Sequence, residues 1–116
     1  MTMQLPASAD ALAIEVSQTD SGMVVALKGT LDAGTAPQLD AQFAEMSRKG
    51  ITRVDLDIAQ LEFMDSAGLS VVVAEHKRTT SDGGRMVIHH PNRRVIRLFQ
   101  MHGLMSYLVV QPRMSI

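Results

Sequence analysis

The residues best placed to take part in chemistry lie in one short block, Phe63-Met64-Asp65-Ser66-Ala67-Gly68-Leu69. The block stands between an alternating strand pattern and a helical pattern, which predicts Ser66 at a helix N-terminus. Free backbone N–H groups and the positive end of the helix dipole favour an anion there. A phosphate on Ser66 would add a charge of about −1.5 to −2 beside Asp65. The block therefore predicts either a phosphorylation site at Ser66 or a plain helix cap formed by Asp65 or Ser66.

Covalent catalysis at this serine is poorly supported. The nucleophile elbow of hydrolases requires Gly-x-Ser-x-Gly, and the residue two before Ser66 is Met64. His76 falls on a stripe expected to be buried, so it is interpreted as a core residue rather than a general base. Gly83-Gly84 lacks the Lys-Ser/Thr continuation of a phosphate-binding loop and indicates a turn. No enzymatic activity is predicted.

Metal binding is not predicted either. Asp55 and Asp57 form the polar face of an alternating strand, which is typical of a solvated sheet face. His89 and His90 are sequence neighbours at the end of a predicted strand, and adjacent side chains of a strand point to opposite faces. The sequence therefore predicts no metal and no cofactor.

The overall charge excludes some partners. The 116 residues carry 11 Lys+Arg against 12 Asp+Glu and no cysteine, a formal net charge of −1. Nucleic acid is not expected as a partner, because it requires a basic surplus. No apolar run approaches the roughly 20 residues of a membrane span, and residues 1–10 do not resemble a secretion signal. Direct membrane insertion is therefore not expected, and a cytoplasmic protein is predicted.

A basic strip is formed by Arg93, Arg94 and Arg97. It is interpreted either as a solvated helix face or as a contact for an acidic patch on a partner.

The elements that position these residues follow from periodicity and capping signals. Strands are predicted over Leu12 to Gln18, Met23 to Lys28, Arg53 to Ile58, Arg85 to His89 and Tyr107 to Val110. Helices are predicted from a Thr35/Gln38 capping box to Gly50, from Ser66 to about Thr80, and from an Asn92 cap to Gly103. The inward helix residues are expected to be Ala36, Leu39, Phe43, Met46, Leu69, Val72, Val73, His76, Val95, Ile96 and Phe99.

This order, β-β-α-β-α-β-α-β, predicts an α/β fold in one domain. Strands that alternate with helices imply crossover connections and a mostly parallel sheet of four or five strands, and the opening hairpin makes the sheet mixed. Helices are expected to pack against the sheet, and residues 1–10 are expected to be a loose N-terminal segment.

Over most of its length, from about Leu12 to Val110, the sequence resembles the STAS-domain anti-sigma factor antagonists of bacterial partner-switching systems. The resemblance includes Gly29-Thr30-Leu31-Asp32, the strand with Asp55 and Asp57, and the segment from Arg97-Leu98-Phe99 to Gly103-Leu104. Its most specific part is the block from Phe63 to Leu69, because that block follows a strand and opens a helix.

The resemblance implies a STAS-like fold and a phosphorylation switch. The unphosphorylated protein would bind an anti-sigma factor that is also an ATP-binding serine kinase with a histidine-kinase-like fold, and would free that factor's client. Phosphorylation of Ser66 by that kinase would end the binding, and a serine phosphatase would reverse it. The partner-binding residues carried over from the family are Asp32, Thr30, Asp65, Met64, Gly68 and Leu69.

One departure from the family pattern leaves an alternative open. Many members have a second Ser or Thr after the acceptor, whereas this chain has Ala67, so Ser66 is the only hydroxyl in the block. STAS domains that regulate membrane lipid or anion transport systems carry a similar block. Phe63-Met64 and Arg97-Leu98-Phe99 favour the antagonist group over that alternative.

Overall fold

Strands that are consecutive along the chain are also neighbours in the sheet. The computed structural model describes residues 11–111 and contains the strands β1 (Leu12–Gln18), β2 (Met23–Leu31), β3 (Arg53–Met64), β4 (Arg85–His89) and β5 (Val109–Gln111). β1 and β2 are antiparallel, whereas β2, β3, β4 and β5 are parallel to one another. The predicted mixed, mostly parallel α/β sheet is therefore confirmed.

Three helices connect the parallel strands: α1 (Ala36–Arg48), α2 (Ser66–Ser81) and α3 (Arg93–Met101). Their buried residues join one face of the sheet in a single hydrophobic cluster, which includes Leu27, Leu56 and Ile88 of the strands. The opposite face carries polar side chains, among them Glu15, Lys28, Asp55, Asp57 and His89. The helices thus form one layer over one face of the sheet.

The inward residues of the helices largely match the prediction. Leu69, Val72 and His76 of α2 are buried, as are Val95 and Phe99 of α3. All four predicted residues of α1 are buried as well. Val73 and Ile96 are only half-buried, and Glu75 is buried although the apolar pattern did not indicate it.

The predicted bounds of three strands are wrong. β2 continues past Lys28 to Leu31, where it pairs with the end of β3. β3 continues past Ile58 to Met64, because pairing with β2 resumes after register shifts that break the alternation. β5 begins at Val109 rather than Tyr107, because the backbone amides of Tyr107 and Leu108 donate to the carbonyl of Leu104 in a turn.

The predicted capping box at the start of α1 is also wrong. The side chain of Thr35 caps nothing in the helix. Its hydroxyl instead donates to the carbonyl of Thr30 at 2.8 Å and accepts from the backbone amide of Asp32 at 2.9 Å. Thr35 is fully buried, so it fastens the β2–α1 loop to the end of its strand. The expectation of a loose N-terminal segment concerns residues outside the described range.

Candidate phosphorylation and partner-binding site

The candidate site lies at the edge of the sheet where the parallel strands end. Asp32 follows β2, Asp65 and Ser66 follow β3, and Asn92 follows β4. Because these strands run in the same direction, their following loops meet at one edge, which is the usual location of ligand sites in open α/β sheets.

Ser66 is the first residue of α2 and is exposed. Asp65 is the N-cap: its carboxylate Oδ1 accepts from the backbone amides of Ala67 at 2.9 Å and Gly68 at 3.2 Å. The capping role considered for Asp65 is therefore confirmed. Because this carboxylate already uses two amides of the first turn, a phosphate on Ser66 would stand beside a negative group that shares the helix terminus.

The site is anchored to the end of the neighbouring strand. The backbone amide of Asp65 donates to the carbonyl of Leu31 at 3.1 Å. Gly68 approaches the same residue so closely that a β-carbon there would lie 2.6 Å from Leu31 Cγ. The loop holding Ser66 is therefore fixed to β2 at both ends of the first turn of α2.

Asp32 organises the loop next to Ser66. Its Oδ1 accepts from the backbone amides of Gly34 at 3.0 Å and Thr35 at 3.1 Å, and its carbonyl accepts from the amide of Ala36 at 2.7 Å. Asp32 is half-buried, as is Thr30, which pairs with Phe63 in the sheet register. Thr30 and Asp32 thus flank the β3–α2 junction on its β2 side.

The structure separates the predicted partner-binding residues into two groups. Ser66 is exposed and Thr30, Asp32 and Asp65 are half-buried at the edge, where a partner can reach them. The remaining predicted residues are buried: Met64 is 6% exposed, Leu69 is 5% exposed, and Gly68 packs on Leu31. These three residues therefore pack around the site, and Met64 also lines a surface groove.

Sequence reasoning missed the exposure of Phe63. Its side chain is 43% exposed and lines a groove of about 650 Å³. The other lining residues are Met64, Arg93, Arg94, Arg97, Leu98 and Met101. Continuing the alternation of Val54, Leu56 and Ile58 would place Phe63 outward, but the register shifts between β2 and β3 make the same alternation fail at Leu61, which is buried.

The prediction that His89 and His90 point to opposite faces of the sheet is wrong. The two rings lie on the same side of the sheet edge, with centroids 6.0 Å apart, rather than on opposite faces. The reason is that β4 ends at His89 and His90 adopts a left-handed backbone with φ of 61°. His89 Nε2 lies 2.7 Å from Asp55 Oδ1, and His90 Nδ1 lies 3.5 Å from Asp57 Oδ1. Within residues 11–111, no group of three or more His, Asp or Glu side chains is arranged to hold a metal ion.

The fold and this edge define a small α/β module in which a loop-to-helix junction presents a serine to solvent. The chain belongs to the STAS-domain family, whose family model matches residues 13–115. It is 32% identical over 100 residues to the anti-sigma F factor antagonist of Paenibacillus polymyxa, covering 85% of this chain and 86% of that protein.

Solved structures agree with this assignment of the fold. An anti-sigma factor antagonist from Mycobacterium paratuberculosis superposes with a TM-score of 0.80 at 22% identity, over 90% of this chain and 89% of the other. The Bacillus cell fate determinant SpoIIAA in its phosphorylated form gives a TM-score of 0.70 at 24% identity, over 87% of this chain and 93% of the other. Across residues 11–111, no helix has the length and apolar character needed to cross a membrane.

Proposed function

We propose that this protein is an anti-sigma factor antagonist controlled by phosphorylation of Ser66. The unphosphorylated form binds an anti-sigma factor that is also a serine kinase and thereby releases the factor's client in the cytoplasm. The observation that carries the proposal is the exposed position of Ser66 at the N-terminus of α2. Relatives that are themselves antagonists of anti-sigma factors support it.

Phosphorylation would act on the docking surface. Thr30 and Asp32 at the end of β2 lie at the same edge of the sheet as Asp65 and Ser66, so a partner that covers this edge also covers Ser66. An added dianion would be buried in that interface beside Asp65. A desolvated or like-charged contact costs several kcal/mol, and each 1.4 kcal/mol changes the affinity about tenfold. One phosphate therefore suffices to end the binding.

The chain acts as a substrate in this scheme and performs no catalysis of its own. The partner kinase supplies ATP and Mg²⁺ and must bring the γ-phosphate in line with the Ser66 hydroxyl. The hydroxyl attacks the γ-phosphorus, ADP leaves, and the serine proton is lost to a base of the kinase. A separate serine phosphatase restores the hydroxyl with water. The phosphorylated form of SpoIIAA supports the view that this fold can carry a phosphate.

The experiment uses labelling by the anti-sigma factor kinase and three variants at two serines of the same helix. Ser66→Ala should abolish phosphorylation and keep binding, whereas Ser66→Glu should weaken binding at least tenfold. Ser70→Ala is the matched control, because Ser70 is exposed one turn later on α2. Its hydroxyl donates to the carbonyl of Ser66, and the variant should be labelled as the wild type is. Persistent labelling of the Ser66→Ala variant would refute the assignment of the acceptor.

A further inference from the structure

We propose that the groove between the end of β3 and α3 docks an acidic amphipathic helix of the protein partner. Phe63, Leu98 and Met101 provide its apolar surface, and Arg93, Arg94 and Arg97 provide its charge; these six residues are called the α3 groove. The identity of the partner as the anti-sigma factor rests on the proposed function, whereas the chemistry of the ligand rests on the groove itself.

The charge of the groove indicates an acidic ligand. All three arginines are exposed, and none takes part in the ion pairs found among residues 11–111. The residues that line the groove include these three arginines and no acidic residue, so the lining carries an excess of positive charge. This excess is local, because the whole chain has a formal net charge of −1. Carboxylates bind arginine in a bidentate geometry, which gives both affinity and orientation.

The apolar residues of the groove indicate that a protein covers it. Met101 is 73% exposed and Phe63 is 43% exposed, although both are large apolar side chains. Aromatic residues, methionine and arginine are the types enriched in protein–protein interfaces. A volume of about 650 Å³ provides room for a few side chains of a helix that lies along α3. An amphipathic helix with Leu or Met flanked by Glu or Asp matches both properties.

A lipid surface fits the groove less well than a helix does. An interfacial helix needs a free apolar face to insert into a bilayer. The apolar face of α3 is already used, since Val95 and Phe99 are buried in the hydrophobic cluster. The apolar side chains that remain exposed line an open groove beside α3, into which side chains of a bound helix can pack.

The location of the groove connects it with the serine. Phe63 is three residues before Ser66, and Asn92 fixes the start of α3 to the end of β3 by donating to the carbonyl of Leu61 at 2.9 Å. A partner that covers Ser66 can therefore extend over the α3 groove without a change of fold. Binding at the groove would then add affinity that is independent of the serine contact.

The test measures binding of a defined probe to the full chain. The probe is an 18-residue fluorescent peptide with Leu along one helical face and Glu on both flanks, and its twin has Lys at each Glu position. We expect the Glu peptide to bind at least tenfold more tightly than the Lys peptide. High salt should weaken the binding of the Glu peptide, because it screens the attraction between Glu and Arg. Arg94→Glu combined with Arg97→Glu should weaken the Glu peptide at least tenfold. The matched control, Arg53→Glu with Arg85→Glu, makes the same charge change on the polar sheet face and should leave binding unchanged.

Three outcomes would overturn the proposal: equal binding of the two peptides, an equal loss in the control variant, or no binding of the Glu peptide at millimolar concentration. A fourth, tighter binding to phosphatidylglycerol vesicles than to the peptide, would assign the groove to a lipid surface instead. Labelling of Ser66 by the kinase is measured separately on the same samples. Failure of peptide binding with normal labelling would reject the groove alone, and peptide binding without labelling would reject the phosphorylation switch alone.

Discussion

Gly68 and Leu31 are in closer contact than any side chain at position 68 would allow. A β-carbon on Gly68 would lie 2.6 Å from Leu31 Cγ and 2.8 Å from the Leu31 carbonyl oxygen. The carbonyl cannot move freely, because it accepts the backbone amide of Asp65. The close approach of α2 to β2 therefore depends on glycine at this position.

Gly68→Ala is expected to destabilise the protein even though alanine is the better helix former. The gain in helix propensity is about 1 kcal/mol, whereas overpacking against a fixed backbone costs about 1–3 kcal/mol. We expect a net loss of up to about 2 kcal/mol in the free energy of unfolding, measured by urea denaturation. Ser70→Ala, an exposed site on the same helix, should be neutral or slightly stabilising. A higher urea midpoint for the Gly68→Ala variant would contradict this account.

The cap formed by Asp65 predicts a difference between two variants of the same residue. Asp65→Ala removes the acceptor of the Ala67 and Gly68 amides and should cost about 0.5–2 kcal/mol in the free energy of unfolding. Asp65→Asn keeps an acceptor oxygen and should remain within about 0.5 kcal/mol of the wild type. Chemical denaturation of both variants measures the difference. Equal losses would show that the charge of Asp65, rather than its cap, stabilises the helix.

The buried pair of Glu75 and Arg78 predicts a large effect away from the site. Glu75 is 3% exposed and binds Arg78 through contacts of 2.7 and 2.9 Å, while Arg78 also donates to the carbonyl of Ile51 at 2.9 Å. Arg78→Met leaves the carboxylate without its partner and should cost about 3 kcal/mol in the free energy of unfolding. Arg48→Met removes an exposed pair with Glu45 and should cost much less, because solvent screens an exposed pair. A similar cost in the two variants would contradict the role of burial.

The ion pair of Glu75 and Arg78 also determines how the stability contributed by Arg78 depends on pH. The hydrogen bonds with Glu75 hold the pKa of Arg78 above its ordinary value. A raised pKa of a base contributes stability that is complete below the unfolded pKa and is lost only as pH rises through the folded pKa. For arginine this window lies far above neutral. The stability difference between the wild type and Arg78→Met should therefore be constant between about pH 7 and 10, as unfolding curves at several pH values would show.

Local patterns sufficed for most of the fold. Alternation in Arg53 to Ile58 and the stripes of Leu69 and Val72 identified a strand and a helix, because these faces are buried by neighbouring elements. The capping box at Thr35 failed because the threonine hydroxyl donates to a partner outside the helix, the carbonyl of Thr30 at the end of β2. A pattern confined to a few residues does not contain that competition.

The candidate site was only partly predictable for a similar reason. The position of Ser66 at the start of α2 follows from local signals, and the structure agrees. Continued alternation from Val54, Leu56 and Ile58 would place Phe63 outward and Met64 inward, as observed, but it would wrongly place Leu61 outward. The shifts in pairing between β2 and β3 are a property of two strands together, so alternation along one strand does not reliably predict the orientation of side chains at the end of β3.

A phosphate on Ser66 should change the surface and leave the fold intact. An acidic group in the first turn of a helix is favourable by about 0.3–1 kcal/mol, which offsets the repulsion from Asp65. Ser66→Glu is therefore expected to stay within about 1 kcal/mol of the wild type in the free energy of unfolding, measured by thermal denaturation with circular dichroism. Amide NMR shifts should be confined to the edge that holds Asp32 and Asp65. Ser81→Glu, at the C-terminal end of α2, places the same charge where the dipole opposes it and should be the less stable of the two. If instead the Ser66→Glu variant lost more than about 2 kcal/mol, the switch would work by unfolding the host rather than by blocking its docking surface.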